Sequence, residues 1–298
     1  MNLPKRSFLE KILSIVSRTI IILFTLLCIY PFYYVIINSI SDPTAVAKGV
    51  YWVPVNPTFA TYMGIFRKGD LPASFLISAS RTVLSTFLCV MLTSLFAYLM
   101  TKKEMILRKV VYRFAIFTMY INAGLIPWYL VMKAYGLRNN YFVYIVPGMI
   151  NIFFMILVKT YIEQLPSSLE ESAEIDGAGF FTVFYKIILP LSKPIVATIS
   201  VYCAVGQWNT WMDNYFLVSD PKLQTVQMIL YNYLNSAETL AKTMRTSPSS
   251  TAAILATGIT PQSVQMAIIV VSVIPIMLVY PFLQKHFAKG IMMGAIRG

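Results

Sequence analysis

The sequence predicts an all-α polytopic membrane protein, a single membrane domain over residues 1–298 with six transmembrane helices. Three observations carry that reading. Only 12% of the 298 residues are charged and 57% are hydrophobic, against roughly 25% charged in an ordinary soluble domain. The mean hydropathy is +0.68. The apolar residues also gather into charge-free stretches, each long enough to cross a hydrocarbon layer about 30 Å thick as a helix.

Taken in order, the spans fall at about 19–41, 72–101, 112–132, 139–162, 194–217 and 264–284. The first follows Lys5, Arg6, Lys11 and Arg18 and so looks like a signal peptide. It is longer than a signal core and no small-residue cleavage site follows it, so it is expected to stay as an anchor. The second span includes Arg81. Prolines interrupt several spans, at Pro31, Pro127, Pro147 and Pro275. Each removes a backbone donor, and each reads either as a simple kink or as a break compensated by neighbouring protein. A segment over 163–193 separates the fourth and fifth spans, and a tail over 285–298 follows the sixth.

The net charge of +12 would raise the question of nucleic acid in a soluble chain. Here the cations sit between apolar runs, and topology accounts for them. With the N-terminus inside, the cytoplasmic segments hold 15 Lys and Arg and the outer segments nine. Both termini are therefore expected in the cytoplasm. Cys28, Cys89 and Cys203 lie within apolar runs without any C-x-x-C pair and read as small core residues. The single histidine, His286, cannot build a zinc site and reads as a surface residue.

The segment between the fourth and fifth spans holds Glu163, Glu170, Glu171, Glu174 and Asp176, five of the twelve acidic residues. Ser167 with Glu170, or Ser168 with Glu171, has the capping-box spacing that starts a helix. Gly177 and Gly179 offer its stop, and a second short helix is expected over 180–189 before Pro190 and Pro194. Two short helices meeting at a glycine bend make a rigid knob, with Leu169, Ala173, Phe180, Phe184 and Ile188 as its apolar contacts.

The residue order there carries more. Glu171-Ser172-Ala173, then Gly177 after three residues, Ile187 after nine more, and Leu189-Pro190 resembles the EAA motif of ABC-importer permeases. Asp176-Gly177-Ala178 is also typical of that family. The likeness extends over nearly the whole chain and points to the carbohydrate importers related to the maltose permease. Trp208-Asn209 is similar to that family's Trp-Asn pair, and the segment from Lys289 to Gly298 resembles its glycine-rich basic tail. Ala123-Gly124-Leu125-Ile126-Pro127 resembles the branch for complex oligosaccharides or polysaccharide fragments. One departure is Ser172 in place of the motif's first alanine.

The resemblance implies that the loop is a pair of cytoplasmic coupling helices docking on a separate ATPase. Glu170, Glu171, Ala173, Asp176, Gly177, Ala178, Phe180, Leu189 and Pro190 are its expected coupling residues. It further implies a homologous second permease, usually a different chain, two ATPase subunits and a solute-binding protein outside. No G-x-x-x-x-G-K-[ST] phosphate loop occurs in the sequence. The chain itself is thus expected to be a transport subunit rather than an enzyme, with no bound cofactor and with ATP and Mg on its partners.

A sugar route needs amide or carboxylate groups interleaved with aromatic rings. Gln207, Trp208, Asn209, Trp211, Asp213, Asn214 and Tyr215 supply both in the fifth span, and Tyr120, Asn122, Trp128 and Tyr129 in the third. Of these, Tyr120, Asn122, Trp128, Trp208, Asn209, Trp211 and Asp213 are the pathway candidates. For the aromatics an interfacial belt is the favoured reading over substrate contact, while Asn122 and Asn209 read either way. Arg81 reads as an arginine snorkelling to the outer headgroups, or as a partner of Asp213 or of an acidic sugar. The competing class is an ion-coupled secondary transporter or channel, which should carry acidic residues or a charged ring at midplane, and the deep spans lack them. A membrane-embedded enzyme would need a nucleophile with a base or a metal cluster, which one histidine does not provide.

Overall fold

The computed structural model describes residues 8–67, 70–246 and 260–295. Lys5, Arg6 and Arg297, and residues 247–259 of the long segment before the last span, lie outside the described residues.

The described chain is helical. It runs α1 (Phe8–Ser39), α2 (Pro43–Lys48), α3 (Ala60–Arg67), α4 (Asp70–Leu99), α5 (Arg108–Tyr120) and α6 (Leu125–Ala134). Two 3-10 turns, Tyr141–Tyr144 and Val146–Gly148, lead into α7 (Ile152–Ile162), and α8 (Ser168–Ile175) follows. Next come α9 (Phe180–Leu191), α10 (Lys193–Asn209), α11 (Met212–Leu217), α12 (Val226–Thr246) and α13 (Pro261–Ala295).

Among the described residues, three stretches of helix are individually long and apolar enough to cross a membrane: Leu9–Ser39, Leu71–Leu99 and Gln262–Val279. They correspond to the first, second and sixth expected spans. Pro31 and Pro275 sit inside continuous helix. The segments expected as the other three spans are not single long helices but broken ones. The third divides into α5 and α6 around Asn122 and Gly124, where Gly124 takes φ +85° and its N–H donates to the Asn122 Oδ1 at 2.9 Å. The fourth is the 3-10 pair containing Pro147 followed by α7, bent by 45°. The fifth is α10 and α11, parted at Thr210–Trp211.

The freed backbone groups find partners on α4. Ser85 Oγ donates to the Tyr144 carbonyl at 2.8 Å, and Thr93 Oγ1 accepts from the Asn151 N–H at 3.1 Å. Ser78 Oγ accepts from the Val226 N–H at 2.9 Å. Ser74, Ser78, Ser85, Thr93, Ser94 and Ala97 of this helix are all buried. Small side chains let helices approach closely where no water competes, and their hydroxyls satisfy irregular backbone at membrane depth.

The chain forms two compact units. The first comprises Met1–Lys68 and Asn232–Val271. Here the C-terminal end of α1 is tied to the following segment, Asn38 Nδ2 donating to the Val50 carbonyl at 2.9 Å and Tyr62 donating to Ser39 Oγ at 2.8 Å. Asp42 caps α2 by accepting from the N–H groups of Thr44 and Ala45. The apolar side chains of α1 are exposed on most of its length, as lipid contact requires, and Cys28 is among the exposed residues. Its expected core position is therefore not seen, because none of the described residues covers that turn of α1.

The second unit comprises Gly69–Tyr231 and Ser272–Gly298 and is organised on α4, which packs most extensively against α10 and then α7. Cys89 of α4 and Cys203 of α10 are buried with their sulfurs 3.1 Å apart, both as free thiols.

Candidate functional site

The segment between α7 and α9 forms the expected knob, with one difference at its start. Ser167 has helical backbone angles and makes no side-chain cap, so neither capping box forms. Glu170 is instead drawn away to Lys102, whose Nζ lies 2.5 Å from its carboxylate. An ion pair with a half-buried ammonium competes successfully with a solvated neutral cap.

The stop of α8 forms as the glycine implies. Gly177 takes φ +80°, its N–H donates to the Glu174 carbonyl at 3.0 Å, and the Ala178 N–H reaches back to the Ala173 carbonyl at 2.9 Å. This is the Schellman pair of bonds, which needs a left-handed residue at that position. Gly179 is extended and precedes α9. The second helix is longer than expected: it reaches Leu191 with a π-turn over Phe184–Ile188, then bends by 83° into α10.

One face of the knob is anchored. Ala173, Val183, Phe184 and Ile188 are buried in a core with Tyr98, Met155, Val158 and Ile162, and Phe180, Ala178 and Leu189 pack against it. Tyr98, fully buried, stacks on Phe180 and Phe184 with ring centres 4.8 and 5.5 Å apart. Burial opposes the Lys102 charge, but Glu170 and Tyr98 together offset this and hold the ammonium above the usual lysine range. The other face is open: Glu171, Asp176, Gly177 and Pro190 are exposed, as are Leu169, Ile175, Phe181 and Tyr185. Leu169, expected among the inward contacts, thus faces out, because Glu170 and Ala173 occupy the side of α8 turned to α4.

The second feature is a cavity of about 420 Å³ at the α5–α6 and α10–α11 breaks. Arg81, only 1% exposed, enters it from α4. Its guanidinium meets Asp213 in a two-pronged pair, Nη2 to Oδ2 at 2.7 Å and Nη1 to Oδ1 at 3.3 Å. The same group donates to Gln207 Oε1 at 3.1 Å and the Thr210 carbonyl at 3.3 Å, and lies over the Tyr144 ring. One cation thereby stabilises the carbonyl end of α10 and the acidic first turn of α11, the charge arrangement that helix ends favour. Asn122 and Trp128 complete the polar and aromatic lining.

Residues 89–293 match the family described as binding-protein-dependent transport system inner membrane component. The chain belongs to that family. Its relatives include the polygalacturonan/rhamnogalacturonan transport system permease protein YtcP of Bacillus subtilis (strain 168), 37% identical over 93% of this chain and 96% of the relative. Protein LplC of the same organism is 35% identical over 91% of this chain and 90% of its own length. The melibiose/raffinose/stachyose import permease protein MelC, also from that strain, is 27% identical over 90% and 91%. Among solved structures, a bacterial ABC transporter involved in the import of the acidic polysaccharide alginate matches 96% of this chain and 100% of that chain, with a TM-score of 0.84 and 30% identity. The resemblance read from the loop motif therefore holds: the chain is an ABC-importer permease with sugar permeases among its relatives.

Within the permease, the expected pathway residues separate. Asn122, Trp128 and Asp213 line the cavity. Trp208 is buried, its indole N–H donating to the Ser272 carbonyl at 2.9 Å and its ring edge-on to Phe75. Trp211 stacks on Tyr231 with centres 4.3 Å apart. Asn209 accepts from Gln227 Nε2 at 3.3 Å, and Tyr120 is 77% exposed. Sequence reasoning noticed Gln207 but did not single out Tyr144, Thr210, Tyr98 or Lys102. The five cations that follow α4, set against the five acids of the loop, were the available signal for Lys102.

The placement of Trp208 makes a checkable expectation. Trp208→Ala should destabilise the permease by about 3–5 kcal/mol through the lost packing, and Trp208→Phe by about 1 kcal/mol through the lost hydrogen bond. Thermal melting of the detergent-solubilised permease reads both. A Trp208→Ala protein that melts like wild type but does not transport would mark the ring as a substrate contact.

Proposed function

We propose that this permease is the membrane-spanning subunit of an ATP-driven importer of oligosaccharides or polysaccharide fragments, working by alternating access. The single observation that carries the reading is the loop 163–193: its inner face is fixed to α4 and α7, while Glu171, Ile175, Asp176 and Phe181 are left exposed around a glycine-closed turn. A rigid projection with an open apolar and acidic face is suited to seat in a motor subunit and pass its movement inward, where a floppy loop would dissipate it.

In this proposal the chain crosses the inner membrane six times, the third, fourth and fifth spans being broken, with both termini and the loop in the cytoplasm. It pairs with a homologous second permease, two ATPase subunits that bind ATP and Mg, and an external solute-binding protein. ATP would draw the ATPases together, turn the cavity toward the binding protein, and hydrolysis would reset it. The relatives' named cargoes, polygalacturonan/rhamnogalacturonan, melibiose/raffinose/stachyose and alginate, support a carbohydrate substrate. The cavity suits one: Trp128 offers a ring, and Asn122, Gln207 and Asp213 offer hydrogen-bonding groups.

Reconstitution tests this directly. The permease purified with its partner subunits should take up oligogalacturonides or neutral oligosaccharides into proteoliposomes only with ATP and the loaded binding protein. Proton-driven uptake by the chain alone would overturn the proposal in favour of a secondary transporter.

A further inference from the structure

The knob is held by α4 as well as by its sequence neighbours α7 and α10. Lys102 Nζ lies 2.5 Å from Glu170 and 3.5 Å from Glu174, and sits over the Tyr98 ring at 4.8 Å. An exposed lysine pair would contribute little, but the Lys102 side chain is only 16% exposed and gathers three partners.

Its backbone is fixed too. The Thr101 N–H donates to the Tyr98 carbonyl at 3.0 Å and the Lys102 N–H to the Leu99 carbonyl at 3.2 Å, so Lys102 belongs mechanically to the last turn of α4. Tyr98, on that same turn, is clasped by Phe180 and Phe184 of α9. Both helices of the knob, α8 through Glu170 and α9 through the two phenylalanines, are thus gripped by one end of α4. Arg81, seventeen residues earlier on the same unbroken helix, lies about 25 Å away by the helical rise and grips the break of the fifth span through Asp213.

We propose that Lys102, with Tyr98, is a positioning residue that makes α4 a second route, beside α7 and α10, by which movement of the loop reaches the cavity. The inference rests on the importer reading given above. α4 is continuous where the third, fourth and fifth spans are broken, so it can carry a displacement along its axis that the broken spans would absorb at their joints. Lys102 touches no substrate and acts through Glu170. The acidic pair of the loop accordingly divides: Glu171 faces out toward a partner, and Glu170 faces in toward α4.

The test uses the complete transporter in lipid nanodiscs and proteoliposomes, with three readouts: basal ATP hydrolysis, its stimulation by loaded binding protein, and uptake per ATP. Lys102→Gln should leave basal hydrolysis within about twofold, and should cut stimulation and uptake per ATP about tenfold, the scale of an ordinary inter-site coupling. The charge-swapped variant carrying both Lys102→Glu and Glu170→Lys should recover most of that loss, which a general packing role would not produce. Uptake per ATP in Lys102→Gln within about twofold of wild type would overturn the inference. So would a charge swap that assembles but stays uncoupled, or loss of the ATPase from both variants, which would make the pair a scaffold contact. A wild-type particle without any ATPase subunit would overturn the importer reading and this inference with it. A coupled wild type with an unaffected Lys102→Gln overturns this inference alone.

Discussion

Replacing Gly177 by aspartate should abolish transport while leaving the permease folded and in the membrane. At φ +80° a β-carbon is strained by about 1–2 kcal/mol for most residues, and less for Asn and Asp, which tolerate this region. A β-carbon built there meets nothing within 4 Å, so the fold itself offers little further resistance. The exposed turn is instead where a partner would close in. If backbone conformation is what matters, alanine should harm more than asparagine or aspartate. If docking is what matters, aspartate should be worst, with uptake down at least about a hundredfold and the ATPase subunit lost on purification. Uptake assays and pull-down of the ATPase on the Ala, Asn and Asp series separate the two, and normal uptake by the aspartate variant would contradict the docking role.

The second large effect is expected at the Arg81–Asp213 pair. Removing one partner of a buried ion pair costs about 3–5 kcal/mol, because the other charge is left uncompensated. The two single changes should not be equal. The Arg81 side chain is 1% exposed and that of Asp213 12%, so Asp213→Ala strands the more deeply buried charge and should destabilise more than Arg81→Ala. Arg81 also has three other acceptors or ring contacts, Gln207, the Thr210 carbonyl and Tyr144, which soften the loss of Asp213 only in part. The double change, Arg81→Met with Asp213→Leu, should recover most of the melting temperature, since an apolar replacement of a whole buried pair is often close to neutral. It should not recover uptake if the cavity carries sugar. Melting curves over the four members of this cycle give the coupling; additive losses would mean that the pair does not hold the break of the fifth span.

Several features of this permease are local and could be read without any fold. The apolar stretches predicted helices, and among the described residues three of them are single helices long and apolar enough to cross a membrane. Gly177 and Gly179 predicted a glycine-terminated helix, and the Schellman bonds form at Gly177, because a left-handed residue is a requirement of one turn and its immediate neighbours. The family resemblance was legible for the same reason, being fixed residue types at fixed short spacings.

Other features depend on partners far away in sequence. Ser167 had the spacing of a cap and does not cap, its backbone being helical, while Lys102, 68 residues from Glu170, takes the carboxylate that would have completed the box. Arg81 had three readings open to it, and Asp213, 132 residues on, decides among them. Trp208 and Asp213 looked alike as members of one polar and aromatic run, yet one is packed against Phe75 and the Ser272 carbonyl while the other lines the cavity. The third span read as one helix, and the Asn122–Gly124 turn breaks it where the cavity lies.

The sequence alone therefore determined that the chain is a helical membrane permease with a glycine-closed loop, since hydropathy and backbone conformation act over a few residues. Only the tertiary structure decided which charges meet, which aromatics pack and where the cavity opens. Those outcomes depend on which groups α4 brings within 3 to 5 Å of one another, and spacing along the chain does not encode that approach.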